Sequence, residues 1–151
     1  MRQRGRDQES ELLMAFRAAY EEGNRAWNEG DFQRAYGGLT EDVDYDLAPT
    51  WPHARPLRGH DEIVAFFQDL RETFPDVRAE PRAFTQADER TVIVGLHVLG
   101  TGGRSGVGTT MDIWQVWEMR EGVRPVRVRE FHDRRAAMEA AGAEKPAERR
   151  T

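Results

Sequence analysis

Three side chains in this sequence combine proton-transfer chemistry with apolar neighbours: Asp46, His97 and Glu130. His97 lies in TVIVGLHVLGT (91–101) with Ile93, Gly95 and Leu99 on its strand face. An imidazole of ordinary pKa, about 6.5, can act as general base or acid near neutral pH. A histidine satisfied by a neighbouring strand or carboxylate is the plainer alternative. Asp46 shares a strand face with Asp44 in EDVDYDL (41–47). At an apolar pocket mouth one of them would have a raised pKa and serve as base, whereas in solvent the pair only guards a sheet edge. Glu130 and His132 stand two residues apart on the last strand, so either can orient the other. Arg127 and Arg129 equally offer Glu130 a cross-strand ion network.

The stretch that must position Glu130 is TMDIWQVWEMREGVRPVRVREFHD (110–133), a β-hairpin turning at Arg120-Glu121-Gly122. Side chains alternate along a strand, so Met111, Ile113, Gln115, Trp117 and Met119 share one face of the first arm. Asp112, Trp114, Val116 and Glu118 share the other. Both faces mix large apolar groups with polar ones, which suits a sheet curving around a partly polar cavity. Gln115 can donate a hydrogen bond there but cannot ionise. Trp51, Trp114, Trp117 and the phenylalanines near Phe67 supply aromatic walls for a flat ligand, or plain core.

Upstream, Leu12, Leu13, Phe16, Ala19, Tyr20, Gly23, Ala26 and Trp27 recur at three- and four-residue steps. The spacing predicts a long first helix, capped from Asp7 or Ser10. Asn28-Glu29-Gly30-Asp31 breaks it and starts a short second helix through Tyr36. Glu41–Leu47 reads as a short strand, and 48–59, with three prolines around Trp51 and His53, as an irregular loop. His60-Asp61-Glu62 opens a third helix whose stripe is Ile63, Phe66, Phe67, Leu70 and Phe74, stopped by Pro75. Strands follow over 77–86, 91–101 and the two hairpin arms, then a short helix from Arg134 to Ala141. The expected organisation is a frayed segment over 1–10, one domain over 11–142 and a disordered tail over 143–151. Helices first and an antiparallel sheet behind is an α+β pattern.

Composition narrows the partners. The chain has 151 residues with 22 basic and 27 acidic ones, net −5, against a nucleic-acid or anionic-membrane surface. No cysteine is present, so thiol nucleophiles and cysteinyl metal sites are excluded. His53, His60, His97 and His132 lack compact ligand spacing, and no metal or other cofactor is expected. GTGGRSGVG (100–108) lacks the Gly-Lys-Ser/Thr ending and a following helix, which leaves a hairpin connection. No apolar run reaches membrane-span length and no leader is visible, so a cytoplasmic protein is the expectation.

The element order, the Trp27-Asn28-Glu29-Gly30-Asp31-Phe32 turn, Glu41-Asp42-Val43, the Arg58-Gly59-His60-Asp61-Glu62-Ile63 helix start, Phe74-Pro75-Asp76 and the closing Val128-Arg129-Glu130-Phe131 strand together resemble a SnoaL-like polyketide cyclase domain. That domain belongs to the nuclear transport factor two-like superfamily. The resemblance covers about Leu12 to Gly142. It implies a cone-shaped curved antiparallel sheet wrapped around the long N-terminal helix, a pocket between them, and a homodimer through the sheet. It also implies a hydrophobic, carbonyl-bearing or polycyclic small-molecule ligand and cofactor-independent isomerisation, aldol cyclisation or dehydration, although many members of the fold have no catalytic activity. Carried onto this sequence, the first-strand base falls at or beside Asp46, the hairpin acid near Gln115 and the helix-one phenol between Phe16 and Tyr20, while the cyclase carboxylate matches Glu130 or Asp133. The expected catalytic set is thus His97, Asp46 and Glu130, with Gln115, Trp117, Trp51, His132, Tyr20 and Phe67 contacting the ligand. The alternative is a non-catalytic binding or dimerisation module whose interior is filled.

Overall fold

The structure is a computed structural model that describes residues 2–102 and 107–143, with side chains over 11–100 and 108–142. Residue 143 of the expected tail ends α4, while 144–151 and the tip of the Gly-rich connection at 103–106 lie outside the described residues. The elements run α1 (Arg2–Asn28), α2 (Phe32–Ala35), β1 (Asp44–Asp46), β2 (Pro56–Arg58), α3 (Gly59–Thr73), β3 (Arg78–Asp88), β4 (Thr91–Gly102), β5 (Val107–Met119), β6 (Pro125–Phe131) and α4 (Arg134–Ala143). α1 starts upstream of the expected caps because Arg, Gln and Glu sustain a helix there.

The six strands form one curved, unclosed sheet in the order β2-β1-β6-β5-β4-β3. Pairing is antiparallel except between β1 and β6, which run parallel, so the sheet is mixed rather than wholly antiparallel. β2 falls within 48–59, where the sequence predicts only an irregular loop. Pro56 heads this edge strand, where a missing N–H is tolerated.

Register sorts the two sheet faces. Val92, Val94, Leu96 and Val98 of β4, with Ile113, Trp117 and Met119 of β5 and Val128 of β6, turn inwards onto Phe16 of α1 and the α3 phenylalanines in the main core. Ile93 and Val116 turn outwards and meet Ala137 and Ala141 of α4, flanked by Trp114 and Phe131. The outer face is therefore partly covered by α4. Gly95 makes room for a ring: a Cβ there would come within 2.7 Å of Trp114 Cζ3.

Two local devices fix the inward-facing elements. The β5–β6 turn places Glu121 and Gly122 at positive φ, 46° and 81°, and closes with the Arg120 N–H donating to the Arg124 carbonyl at 2.9 Å. That register sets Gln115 opposite Glu130. At the far edge, Asn28 of α1 works as a surrogate strand. Its Oδ1 accepts from the Ala79 N–H at 2.8 Å and its Nδ2 donates to the Ala79 carbonyl at 3.1 Å, while Asn24 Nδ2 donates to the same carbonyl at 3.0 Å.

Candidate functional site

Between α1 and the concave sheet lies a cavity of about 290 Å³, near the lower end of the range for small-molecule sites. Its walls are chiefly aromatic. All three tyrosines of the chain, Tyr20, Tyr36 and Tyr45, and three of its four tryptophans, Trp27, Trp51 and Trp117, line it. Exposed Glu22, Arg34 and Gly38 mark the mouth, where Arg34 of α2 and Arg25 both pair with Glu22 of α1.

Glu130 sits at the closed end, 5% exposed. Tyr45 Oη and Gln115 Nε2 donate to its Oε2 at 2.7 and 2.8 Å, and Trp51 Nε1 and the Ala48 N–H donate to its Oε1 at 2.7 and 3.1 Å. The loop after β1 is folded over this carboxyl by a turn in which the Trp51 N–H donates to the Ala48 carbonyl. Burial, the larger influence, pushes the carboxyl above its ordinary 4.5, and the four donors partly oppose it.

Gln115 extends the chain of contacts towards α1. Its Oε1 accepts from Tyr20 Oη at 2.7 Å and from Trp117 Nε1 at 2.9 Å, and its Nε2 also reaches Tyr45 Oη at 3.3 Å. Because an indole N–H can only donate, the amide is fixed with its oxygen towards Trp117 and its nitrogen towards Glu130. Burial raises the pKa of all three phenols, with the negative charge of Glu130 adding to the effect. They remain protonated and face this cavity as hydrogen-bond donors, and Glu130 is the one buried carboxyl among its lining residues.

The expected site residues divide sharply. Glu130, Gln115, Trp117, Trp51, Tyr20 and Phe67 all line the cavity. His97 does not: it faces outwards on β4, where its Nδ1 meets Asp112 Oδ1 at 2.7 Å across the β4–β5 pair. Asp46 also faces outwards, in a shallow charged groove with Asp44, Arg58 and Arg127. The inward residue of β1 is Tyr45, since strand alternation puts the flanking aspartates on the opposite side. His132 lies exposed beyond the end of β6, 3.3 Å from Asp133, because the alternation that would have aligned it with Glu130 lapses where the strand stops. The ion network offered to Glu130 goes instead to Glu118, which faces Arg127 and Arg129 on the outer side. Tyr36, Tyr45 and Trp27 were not singled out. The tyrosines' scarcity in the chain was the available signal for two of them.

The sequence matches the SnoaL-like domain over residues 16–128. No curated protein matches it. Among solved structures, TerC co-crystallised with polyporic acid is similar at a TM-score of 0.65 and 21% identity, covering 83% of this chain and 96% of that one. A protein of unknown function from Burkholderia pseudomallei, described as NTF2-like, is similar at a TM-score of 0.65 and 21% identity, covering 81% of this chain and 93% of that one. The epoxide hydrolase/cyclase-like enzyme SalBIII, with a role in pyran ring formation in the polyether salinomycin, gives a TM-score of 0.62 at 16% identity over 86% of this chain and 94% of its own. At these identities the likeness is one of fold.

Proposed function

The chain belongs to the SnoaL-like domain family, and from that premise we propose that its cavity binds a compact apolar ligand bearing a carbonyl and moves a proton on it without a cofactor, with Glu130 as the base. The observation that carries this reading is a single buried carboxyl at the closed end of an aromatic cavity, to which each of its polar neighbours donates. The other lining carboxylate, Glu22, is exposed and engaged by two arginines at the mouth.

In the reaction, a proton on the carbon beside the carbonyl passes to the Glu130 carboxylate as the C–H bond breaks. The released electron pair moves onto the carbonyl oxygen, which accepts a hydrogen bond from the Tyr20 hydroxyl as that group turns from Gln115 to the ligand. Return of the proton to another carbon isomerises the ligand. Attack of the enolate carbon on a second carbonyl closes a ring, the π pair of that carbonyl moving to its oxygen, which takes the proton back from Glu130.

The assay needs no knowledge of the natural ligand. 2-Tetralone incubated in D₂O should exchange its α-protons faster with the protein than in buffer, followed by NMR, and Glu130→Gln should lower the protein-dependent rate by about 10²-fold or more. Exchange that survives Glu130→Gln unchanged sinks the assignment. A second reading, in which the cavity only holds its ligand, is favoured by the four donors that already occupy Glu130. It is the reading left standing if 2-tetralone binds and exchanges no faster than in buffer.

A further inference from the structure

A second cleft of about 300 Å³ lies behind the first, bordered by Leu70 of α3, Phe74 just after that helix, Val77, Val98 of β4 and Met111 of β5. The two spaces adjoin on β4, around the start of β3 and on α3, while on β5 the buried Ile113 stands between Gln115 of the first and Met111 of the second. On β4, Leu96 lines the first cavity and Val98, the next inward residue, lines the second. Before and within β3, Ala79 belongs to the first and Val77 to the second, and on α3 Phe67 and Leu70 divide in the same way, one helical turn apart. Trp51 is the residue common to both. Its indole is a partition, 4% exposed, standing edge-on to Phe67 with ring centroids 5.6 Å apart.

This partition hangs from a loop rather than from a strand or helix. Trp51 lies between β1 and β2 in the Ala48–Arg55 segment, where Pro52 follows it and His53 takes a positive φ of 59°. What holds the indole in place is its N–H bond to Glu130, a ring contact and the Ala48 turn. The side chain that ends the cavity is thus also one of the donors to its carboxyl.

We infer that Trp51 is the specificity-determining residue of the site, an aromatic stop that limits ligands to the length of the first cavity and whose removal joins it to the cleft behind. The inference rests on the ligand-binding reading above. A ligand that fits the wild-type chain ends against the indole, and one with two further fused rings is refused by it. Truncation at position 51 roughly doubles the accessible space, enough to admit the longer ligand with its carbonyl still at Glu130.

The test uses two fluorescent ketones of different length, 2-acetylnaphthalene and 1-acetylpyrene, titrated against the full chain. Wild type should bind the naphthyl ketone and bind the pyrenyl ketone weakly. Trp51→Ala should raise the ratio of pyrenyl to naphthyl affinity by at least about tenfold, and Trp51→Phe, which keeps most of the wall but loses the N–H bond to Glu130, should keep the wild-type ratio whatever its absolute affinities. If circular dichroism shows Trp51→Ala unfolded, Trp51→Leu carries the same comparison with a smaller loss of buried surface. Naphthyl binding in every variant with no pyrenyl gain in the truncated one overturns the partition and leaves the ligand-binding reading intact. Binding of neither ketone by the wild type overturns both.

Discussion

Glu130 holds opposing influences in one carboxyl group, and their balance is measurable. Burial favours the neutral acid and the Tyr45, Gln115, Trp51 and Ala48 donors favour the anion, with burial the stronger. A folded-state pKa above the ordinary 4.5 means that the native chain holds this proton more tightly than the unfolded one. The stability this supplies is complete below about pH 4.5 and is lost as pH rises through the folded value. The unfolding free energy of wild type minus that of Glu130→Gln, from urea titrations at several pH values, should therefore fall with rising pH across that window. A difference that grows with pH would mean that the donors win. The residue type and strand position of Glu130 were readable in advance, but its partners were not. Tyr45, Ala48 and Trp51 lie 85, 82 and 79 positions away, and only β1's parallel pairing with β6 brings them near. His97 and Asp46 misled for a related reason. Alternation shows which residues share a face of a strand, but the direction of that face depends on what packs against it.

At the scale of elements, periodicity was a good guide wherever an element buries one side. The α1 stripe, the α3 phenylalanines and the β4–β6 alternation all reappear in the core. Joints between elements were the illegible part, as Asn28 shows: a polar residue at a helix end reads as a terminator, yet its amide completes the edge of β3. Both backbone groups of Ala79 depend on it, though Asn24 also serves the carbonyl. Asn28→Leu should cost about 1–3 kcal/mol in urea unfolding, since a buried N–H loses its acceptor. Asn28→Asp keeps that acceptor and leaves the carbonyl to Asn24, so it should cost clearly less. Equal losses from the two would place the role of Asn28 in packing rather than in this bond. Ala79 also lines the cavity, so the joint that closes the edge of the sheet shapes the site as well.

For the whole molecule, the sheet supplies two unlike surfaces, and the site occupies one of them. The concave face gathers the phenols and indoles, while the outer face carries α4 and charged pairs such as Arg129–Glu118. No helix among the described residues is long and apolar enough to cross a membrane. A ligand held in the cavity binds the folded chain alone and so must stabilise it. At a free concentration 100 times its dissociation constant the gain is about 2.7 kcal/mol. For a chain of this size that corresponds to a rise in Tm of about 5–11 °C. 2-Acetylnaphthalene should produce it in a thermal melt of wild type. No rise at a saturating concentration would place the ketone's binding outside the folded core.

The crowding of Tyr20, Tyr36, Tyr45, Trp27, Trp51 and Trp117 around one space has an optical consequence. Nearly every intrinsic chromophore of the chain looks into the cavity, and Trp114, packed under α4, is the exception among the four indoles. Ultraviolet emission from Trp114→Phe would therefore come from the cavity walls alone. In that variant the protein is its own occupancy sensor: an arriving ligand announces itself by quenching or shifting the tryptophan band, with no label attached and no turnover required.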